Sequence, residues 1–320
     1  VKYFFALVQK IATLEGRHKE SRLPFSYFAA LFAYWKCFMS SLRGTPLHEL
    51  LNLPLFWLHM SRQGAPSLPP ERIPYGPHAR QYFLFFKPHP QVRQRAETVV
   101  YLHGGGWLFG SPEAFTPHAR VFLDAGFPAI FPSFRRIPFH NFNDMREDLN
   151  RLLTRLHRLW KEEGWTGRRL IAGGMSSGGH LAAHLALDGS ALQQCGWQAA
   201  DIAGLFCCGA PLDLDCMPLT AVVRAMAGPR DSEQYRKANP VLLIRNRKSP
   251  LPPTLLIHGT HDGLVPIESA RSFAGQTANL PDVRLHFHLI PNGSHLDAAS
   301  WGHTENVVRR EILGWMCLIP

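Results

Sequence analysis

Beyond residue 80 the chain alternates between two kinds of pattern. Short apolar runs at 81–86, 98–103, 128–134, 169–172, 202–208, 254–258 and 283–290 read as strands. Longer segments between them carry helical periodicity. The clearest is 143–161, which places Leu149, Leu152, Leu153, Leu156 and Trp160 on one face. Further helices are expected at 178–187, 267–277 and 304–316. Strands that alternate with helices predict an α/β fold, with a mostly parallel sheet covered by helices on both faces. Residues 211–250 separate two strands by about 40 positions, which is long for a plain crossover and predicts extra helices over the sheet.

The first 75 residues have a different texture. They are rich in aromatics and read as helices broken near Pro24, Pro46 and Pro54. Residues 64–77 are proline-rich and read as a linker. Residues 3–8 are apolar but bounded by Lys2 and Lys10, too short for a signal-peptide core. The most membrane-like stretch, 26–42, contains Lys36 and falls short of the roughly 20 apolar residues a span requires. It reads as a buried or surface-docking helix, and weak membrane-surface contact through residues 1–60 is expected. Val1 in place of an initiator Met predicts a processed or trimmed start.

Composition narrows the class. Hydrophobic residues make up 46% and charged residues 18%, enough apolar side chain for a large core and too little charge for a disordered chain. The net charge of +10 comes mostly from scattered arginines without a basic run; Arg151, Arg155 and Arg158 share one solvated helix face. No nucleic-acid partner is expected from that pattern. Six cysteines in 320 residues are no disulfide framework, and no CxxC pair suggests zinc. Reduced thiols in a cytoplasmic protein are the expectation. Oligomeric state leaves no mark on the sequence.

Four post-strand loops carry chemistry. Gly174-Met175-Ser176-Ser177-Gly178 reads G-x-S-x-G between a strand and a helix, the setting of a nucleophile elbow. Ser176 is the expected nucleophile. Ser177, the rival, would have Met175 where its frame needs glycine. A phosphate loop fails for want of G-x-x-x-x-G-K-[ST], and a dinucleotide loop for want of G-x-G-x-x-G. His103-Gly104-Gly105-Gly106-Trp107 follows the strand at 98–103, and its bare backbone suits an oxyanion. Gly105, Gly106 and Ser177 N–H are the expected donors, with His103 pinning the loop. Asp262, after the strand at 254–258, is the expected acid, with Glu268 and Asp282 as weaker alternatives and His261 not the base. His295, after the strand at 283–290, is the expected base. The order Ser176, Asp262, His295 selects it from 17 histidines. His286 and His288 alternate on a strand like a metal pair, but no third ligand is indicated, so no metal site is expected.

Taken together these motifs resemble the α/β-hydrolases of the hormone-sensitive-lipase-like carboxylesterase group. The segment Gly174–Ala182 is also similar to that of feruloyl and acetyl esterase-like enzymes and aryl formamidases. The resemblance covers roughly residues 80 to 315. It departs at Met175, where Asp or His is frequent, at Phe134-Arg135-Arg136-Ile137-Pro138, where the lipase-like group has YRLAPE, and in an acid loop reading Asp-Gly-Leu-Val-Pro. The resemblance implies an α/β-hydrolase catalytic domain over 76–320. It also implies an N-terminal helical cap over 1–75, with additional cap helices in 211–250. It implies a serine carboxylesterase with no cofactor, acting on short- to medium-chain or aromatic esters, with Trp107 and Met175 bordering the pocket. Aryl formamidase or acetyl-sugar esterase activity would use the same triad. A hydrolase fold serving as a non-catalytic small-molecule receptor is the alternative of another class.

Overall fold

The structure is a computed structural model that describes residues 37–320 apart from 65, 163–168, 246, 248–249 and 279. The expectations for residues 1–36 lie outside the described residues. Chain contacts divide the molecule into two units, Val1–Arg43 and Gly44–Pro320, and the account below concerns the second. Among the described residues, no helix is long and apolar enough to cross a membrane.

Eight strands form one sheet in the order β1-β2-β4-β3-β5-β6-β7-β8. They are β1 (Glu71–Pro74), β2 (Tyr82–Phe86), β3 (Thr98–Leu102), β4 (Ala129–Pro132), β5 (Leu170–Met175), β6 (Ile202–Cys208), β7 (Thr254–Gly259) and β8 (Leu285–Ile290). The pairings β1–β2 and β2–β4 are antiparallel, and every pairing from β4 across to β8 is parallel. The central strands are buried at every position, which explains their unbroken apolar runs. β8 has no fully buried residue, as the outermost strand should. Strand β1 falls inside the stretch expected to be a linker. The prolines around it hid it, and the one it contains, Pro74, is tolerated because β1 is an edge strand with its ladder on one side only.

The principal helices are α1 (Pro46–Ser61), α2 (Thr116–Asp124), α3 (Phe142–Glu162), α4 (Ser177–Leu187), α5 (Gly189–Gln194), α6 (Ala221–Ala227), α7 (Glu233–Ala238), α8 (Val241–Arg245), α9 (Ile267–Thr277) and α10 (Val307–Cys317). The last strand-to-strand gap before β7 thus holds three short helices. Thr45 caps α1 by accepting from His48 N–H at 3.3 Å, and Pro46 takes the first turn. Helix α1 continues through Pro54, which was expected to break it. Leu50 and Pro54 both lie on the exposed side, so the carbonyl that loses its partner faces water.

Two cores flank the sheet. One packs α3 and α4 against β3, β5 and β6, with Trp160 edge-on to Trp197 at 4.8 Å. The other joins α1, α2 and α10 through Phe56, Met60, Phe122, Trp301 and Met316. His118 lies in this second core, edge-on to Trp301 at 4.2 Å, and donates from Nε2 to the Ala299 carbonyl at 3.0 Å.

Burial holds several histidines neutral. It lowers the pKa of His103 to about 4, of His118 to about 3 and of His184 to about 4. Once unfolded, each returns towards its ordinary value near 6.5, so the unfolded chain binds more protons across the interval between. Stability should therefore be intact above about pH 6.5 and fall as pH drops towards 4, each histidine adding a slope of about 1.4 kcal/mol per pH unit. Equilibrium denaturation at pH 7 and pH 5 measures this, and equal midpoints would contradict it.

Candidate active site

The parallel register brings four chain crossings to one edge of the sheet. Leu102 pairs with Gly174, Met175 with Cys208, Cys208 with Ile257, and Gly259 with Ile290. The segments that leave these carboxyl ends are those carrying His103–Trp107, Ser176, Gly209, Asp262 and His295. A parallel sheet places its ligand sites outside this edge.

Ser176 sits between β5 and α4 with φ 54° and ψ −126°, a conformation L residues rarely adopt. Its N–H donates to the Cys208 carbonyl at 2.8 Å, and its carbonyl accepts from His180 N–H at 3.1 Å. The flanking glycines follow from crowding. A Cβ on Gly174 would lie 2.5 Å from the Gly178 backbone, and one on Gly178 would overlap the Leu102 carbonyl. Ser177 is the first residue of α4, so its N–H belongs to the free amino end of that helix.

The glycine turn lies beside the serine: a Cβ on Gly104 would stand 3.5 Å from that of Ser176. Gly105 and Gly106 have φ of 133° and 60°, followed by Trp107 at 57°. His103 is buried, stacks on Phe134 at 4.8 Å and donates from Nδ1 to the Gly104 carbonyl at 2.9 Å. Trp107 donates from Nε1 to His180 Nδ1 at 3.3 Å, while His180 Nε2 donates to the Ala238 carbonyl at 2.7 Å. Each His180 nitrogen thus has one role, and burial, aided by neighbouring His184, keeps the ring neutral. The segment 134–138 buttresses the turn. Ile137 N–H donates to the Trp107 carbonyl at 3.1 Å, and the Arg136 guanidinium donates to the Gly110 carbonyl. Arg135 anchors the segment on α3 through buried Asp148, with Nε 2.8 Å from Oδ1 and the backbone N–H 2.7 Å from Oδ2.

His295 donates from Nδ1 to Asp262 Oδ2 at 2.7 Å, and both side chains are buried. Asp262 Oδ1 accepts from Leu264 N–H at 2.9 Å and Val265 N–H at 2.8 Å. Burial opposes charge on Asp262, but the His295 charge and hydrogen bond outweigh it and hold the carboxyl below its ordinary value. Burial likewise opposes protonation of His295, and Asp262, then Glu49, overcome it and raise its pKa. His258 flanks the acid, its Nε2 3.4 Å from Oδ2, but gives its proton to the Val265 carbonyl at 2.9 Å. Gly209, φ 54°, leaves room for the pair, because a Cβ there would meet His295 Nδ1 at 3.2 Å and Asp262 Oδ2 at 3.3 Å. His261 is exposed, its Nδ1 lies 3.2 Å from Thr260 Oγ1, and its N–H donates to the Gly293 carbonyl at 2.8 Å. Glu268 lines the cavity but pairs with Arg271, and Asp282 lies in the turn before β8.

Sequence reasoning missed Glu49. This buried side chain on α1 accepts from His295 N–H at 2.9 Å and Gly263 N–H at 3.2 Å through Oε1, and from Leu296 N–H at 3.4 Å through Oε2. One carboxylate therefore binds both the acid loop and the histidine loop. Its only sequence trace is an acidic residue in the first turn of a helix, where an ordinary dipole partner is the usual reading.

Ser176, His295, Gly104–Gly106, Trp107 and Met175 all line one cavity of about 890 Å³. Leu50, Leu53 and Trp57 of α1 and Met217 and Val222 from the 211–250 segment complete its largely apolar wall.

Residues 85–276, more than half of the chain, match the BD-FAE family model, and the chain belongs to that family. Among curated relatives, esterase LipQ of Mycobacterium tuberculosis is 24% identical over 263 residues, covering 77% of this chain and 61% of LipQ. Putative acetyl-hydrolase LipR of the same organism is 32% identical over 119 residues, covering 37% of this chain and 36% of LipR. The chain thus spans under two thirds of the length of both. Among solved structures, a truncated carbohydrate esterase from gut microbiota superposes with a TM-score of 0.66 at 14% identity, covering 80% of this chain and 98% of that one. Esterase B from Lactobacillus rhamnosis, with a bound tributyrin phosphonate inhibitor, gives 0.68 at 18% identity, covering 92% and 94%. These structures share the α/β-hydrolase fold.

Replacing Glu49 by Gln should withdraw a charge that raises the His295 pKa, moving the acid limb of any His295-dependent activity to lower pH. It should also cost about 1–3 kcal/mol of stability through poorer pairing of buried N–H groups. A pH–rate profile alongside denaturant titration measures both, and an unmoved limb with unchanged stability would remove Glu49 from the site.

Proposed function

We propose that this protein is a serine hydrolase of carboxylic esters. The observation that carries the reading is the convergence, in one cavity, of Ser176 on its positive-φ turn with the buried His295–Asp262 pair. His295 Nε2 takes the Ser176 proton as Oγ attacks the acyl carbonyl carbon. The carbonyl electron pair moves onto oxygen, which Gly105, Gly106 and Ser177 N–H receive. Collapse expels the alcohol, which takes the proton back from His295, and leaves an acyl-enzyme on Ser176. Water, activated by the same imidazole, then releases the acid. Asp262 holds the ring with Nδ1 protonated throughout. The Ser176, His295 and Asp262 chemistry requires neither metal nor organic cofactor.

The esterase and acetyl-hydrolase names of the relatives support the reaction class, as does phosphonate inhibition of the L. rhamnosis enzyme. Trp107 and Met175 would border the scissile bond. The apolar wall built by α1 and the 211–250 segment favours a lipophilic short- to medium-chain or aromatic ester over an acetylated sugar, whose hydroxyls would lack partners there.

Hydrolysis of p-nitrophenyl esters from acetate to dodecanoate tests this directly. Wild type should turn them over, and Ser176→Ala should lose activity by about 10⁴-fold or more. His295→Ala should fall comparably, and His261→Ala should change little. Because the His295 pKa is raised, kcat/KM should fall on the acid side at a pH above that of an unperturbed imidazole. Turnover that survives Ser176→Ala would overturn the proposal. A folded wild type that neither hydrolyses any ester nor reacts with a fluorophosphonate probe would instead favour a non-catalytic receptor, and cleavage of aryl formamides alone would favour a formamidase.

A further inference from the structure

On the far edge of the sheet, away from the Ser176 cavity, β8 presents two imidazoles. His286 and His288 are two residues apart on one strand and so project from the same face. The sequence indicates no third donor. The fold brings one in from α10: Glu311 Oε2 lies 3.4 Å from His286 Nε2, and Glu311 Oε1 lies 3.9 Å from His288 Nδ1. One donor atom from each of the three side chains lies within 4.8 Å of the others. We infer that His286, His288 and Glu311 form a binding site for a divalent transition-metal ion, with Zn²⁺ the ion that best fits the donors.

The geometry carries this assignment. Tetrahedral Zn²⁺ holds nitrogen and oxygen ligands at about 2.0–2.2 Å, which sets neighbouring ligand atoms about 3.3–3.6 Å apart. Glu311 Oε2 already stands at that spacing from His286 Nε2, Oε1 is a few tenths of an ångström too far from His288 Nδ1, and side-chain rotation would draw three donors that lie within 4.8 Å of one another onto one ion. Two imidazoles with one carboxylate, and no thiolate, select a borderline ion such as Zn²⁺ over Ca²⁺ or Mg²⁺, which prefer oxygen throughout. Both supporting elements are regular. The histidines stand on a strand paired along its length with β7, and Glu311 lies inside the eleven-residue helix α10, so few degrees of freedom must be frozen on binding. Access is open: the His286 side chain is exposed and that of Glu311 partly so, leaving the ion a route from solvent.

A bound ion would tie β8, the outermost strand, to the C-terminal helix. The site therefore adds stability through binding to the folded state alone. It stands independently of the ester-hydrolase reading.

The test is calorimetric titration of the EDTA-treated, dialysed full chain with ZnCl₂, on wild type, His286→Ala and Glu311→Gln. Both substitutions alter partly exposed side chains, and circular dichroism verifies that the variants fold. One Zn²⁺ per wild-type chain is expected, weakened at least about 100-fold by each substitution, since losing a ligand costs no less than losing its supporting hydrogen bond. Saturating Zn²⁺ should raise the Tm of wild type and not of His286→Ala. With Co²⁺ as the probe, wild type should develop visible d–d absorption that His286→Ala lacks. Absence of Zn²⁺ binding to wild type overturns the proposal. So does binding that both variants retain, which would place the ion on other histidines or thiols. Ester hydrolysis measured on the same samples keeps the two proposals apart: the metal site fails without touching turnover, and Ser176→Ala abolishes turnover without touching Zn²⁺ binding.

Discussion

The hydrogen bond from His295 to Asp262 is the contact around which the site is arranged. It joins two ionisable groups whose side chains are both buried, where an incompletely paired carboxylate would be costly. The surrounding chain meets that demand with backbone. Leu264 and Val265 fill the second oxygen of Asp262, and His258 stands beside the first. The Val265 carbonyl occupies the His258 proton, which leaves Asp262 Oδ2 to His295. The absent side chain at Gly209 leaves space for the pair, and a Cβ on Gly263 would overlap the Thr45 carbonyl, which presses the acid loop onto the start of α1. Glu49 closes the arrangement from below by gathering the N–H groups of both loops.

The serine side of the cavity depends on close approach rather than on charge. Gly174 and Gly178 let the turn after β5 press against the end of β3, and that pressure brings the 104–106 turn alongside Ser176. Nothing in a glycine run fixes its own shape. His103, Trp107 and the segment 134–138 supply the rigidity through stacked rings and backbone hydrogen bonds, and Arg135 carries the restraint through to Asp148 on α3. The departure from YRLAPE at Phe134–Pro138 thus occupies a position that supports the glycine turn, whatever the substrate.

Local pattern made much of this legible. Fully buried strands such as β5 and β7 announce themselves as apolar runs, and Leu149 to Trp160 mark α3 by their spacing. The G-x-S-x-G turn pointed to Ser176 and the post-strand loops to Asp262 and His295, with chain order selecting His295 among 17 histidines. What escaped were features whose meaning lies in distant partners. Glu49 looks like any helix-start acid until the fold sets it under His295. Glu311 looks like one charge on a surface helix until α10 crosses β8. Strand β1 was masked by flanking prolines and by Pro74, which an edge position permits, and Pro54 suggested a helix end because the exposure of Leu50 cannot be read from its identity.

The bond between Glu49 and the His295 backbone spans 246 residues of chain. The N–H groups of Gly263, His295 and Leu296 that this carboxylate accepts from all follow it by more than 200 residues, so the contact must close a long loop before it can form. A disturbance at the start of α1 therefore reaches both loops at once, because the N–H groups of Gly263, His295 and Leu296 share that one carboxylate.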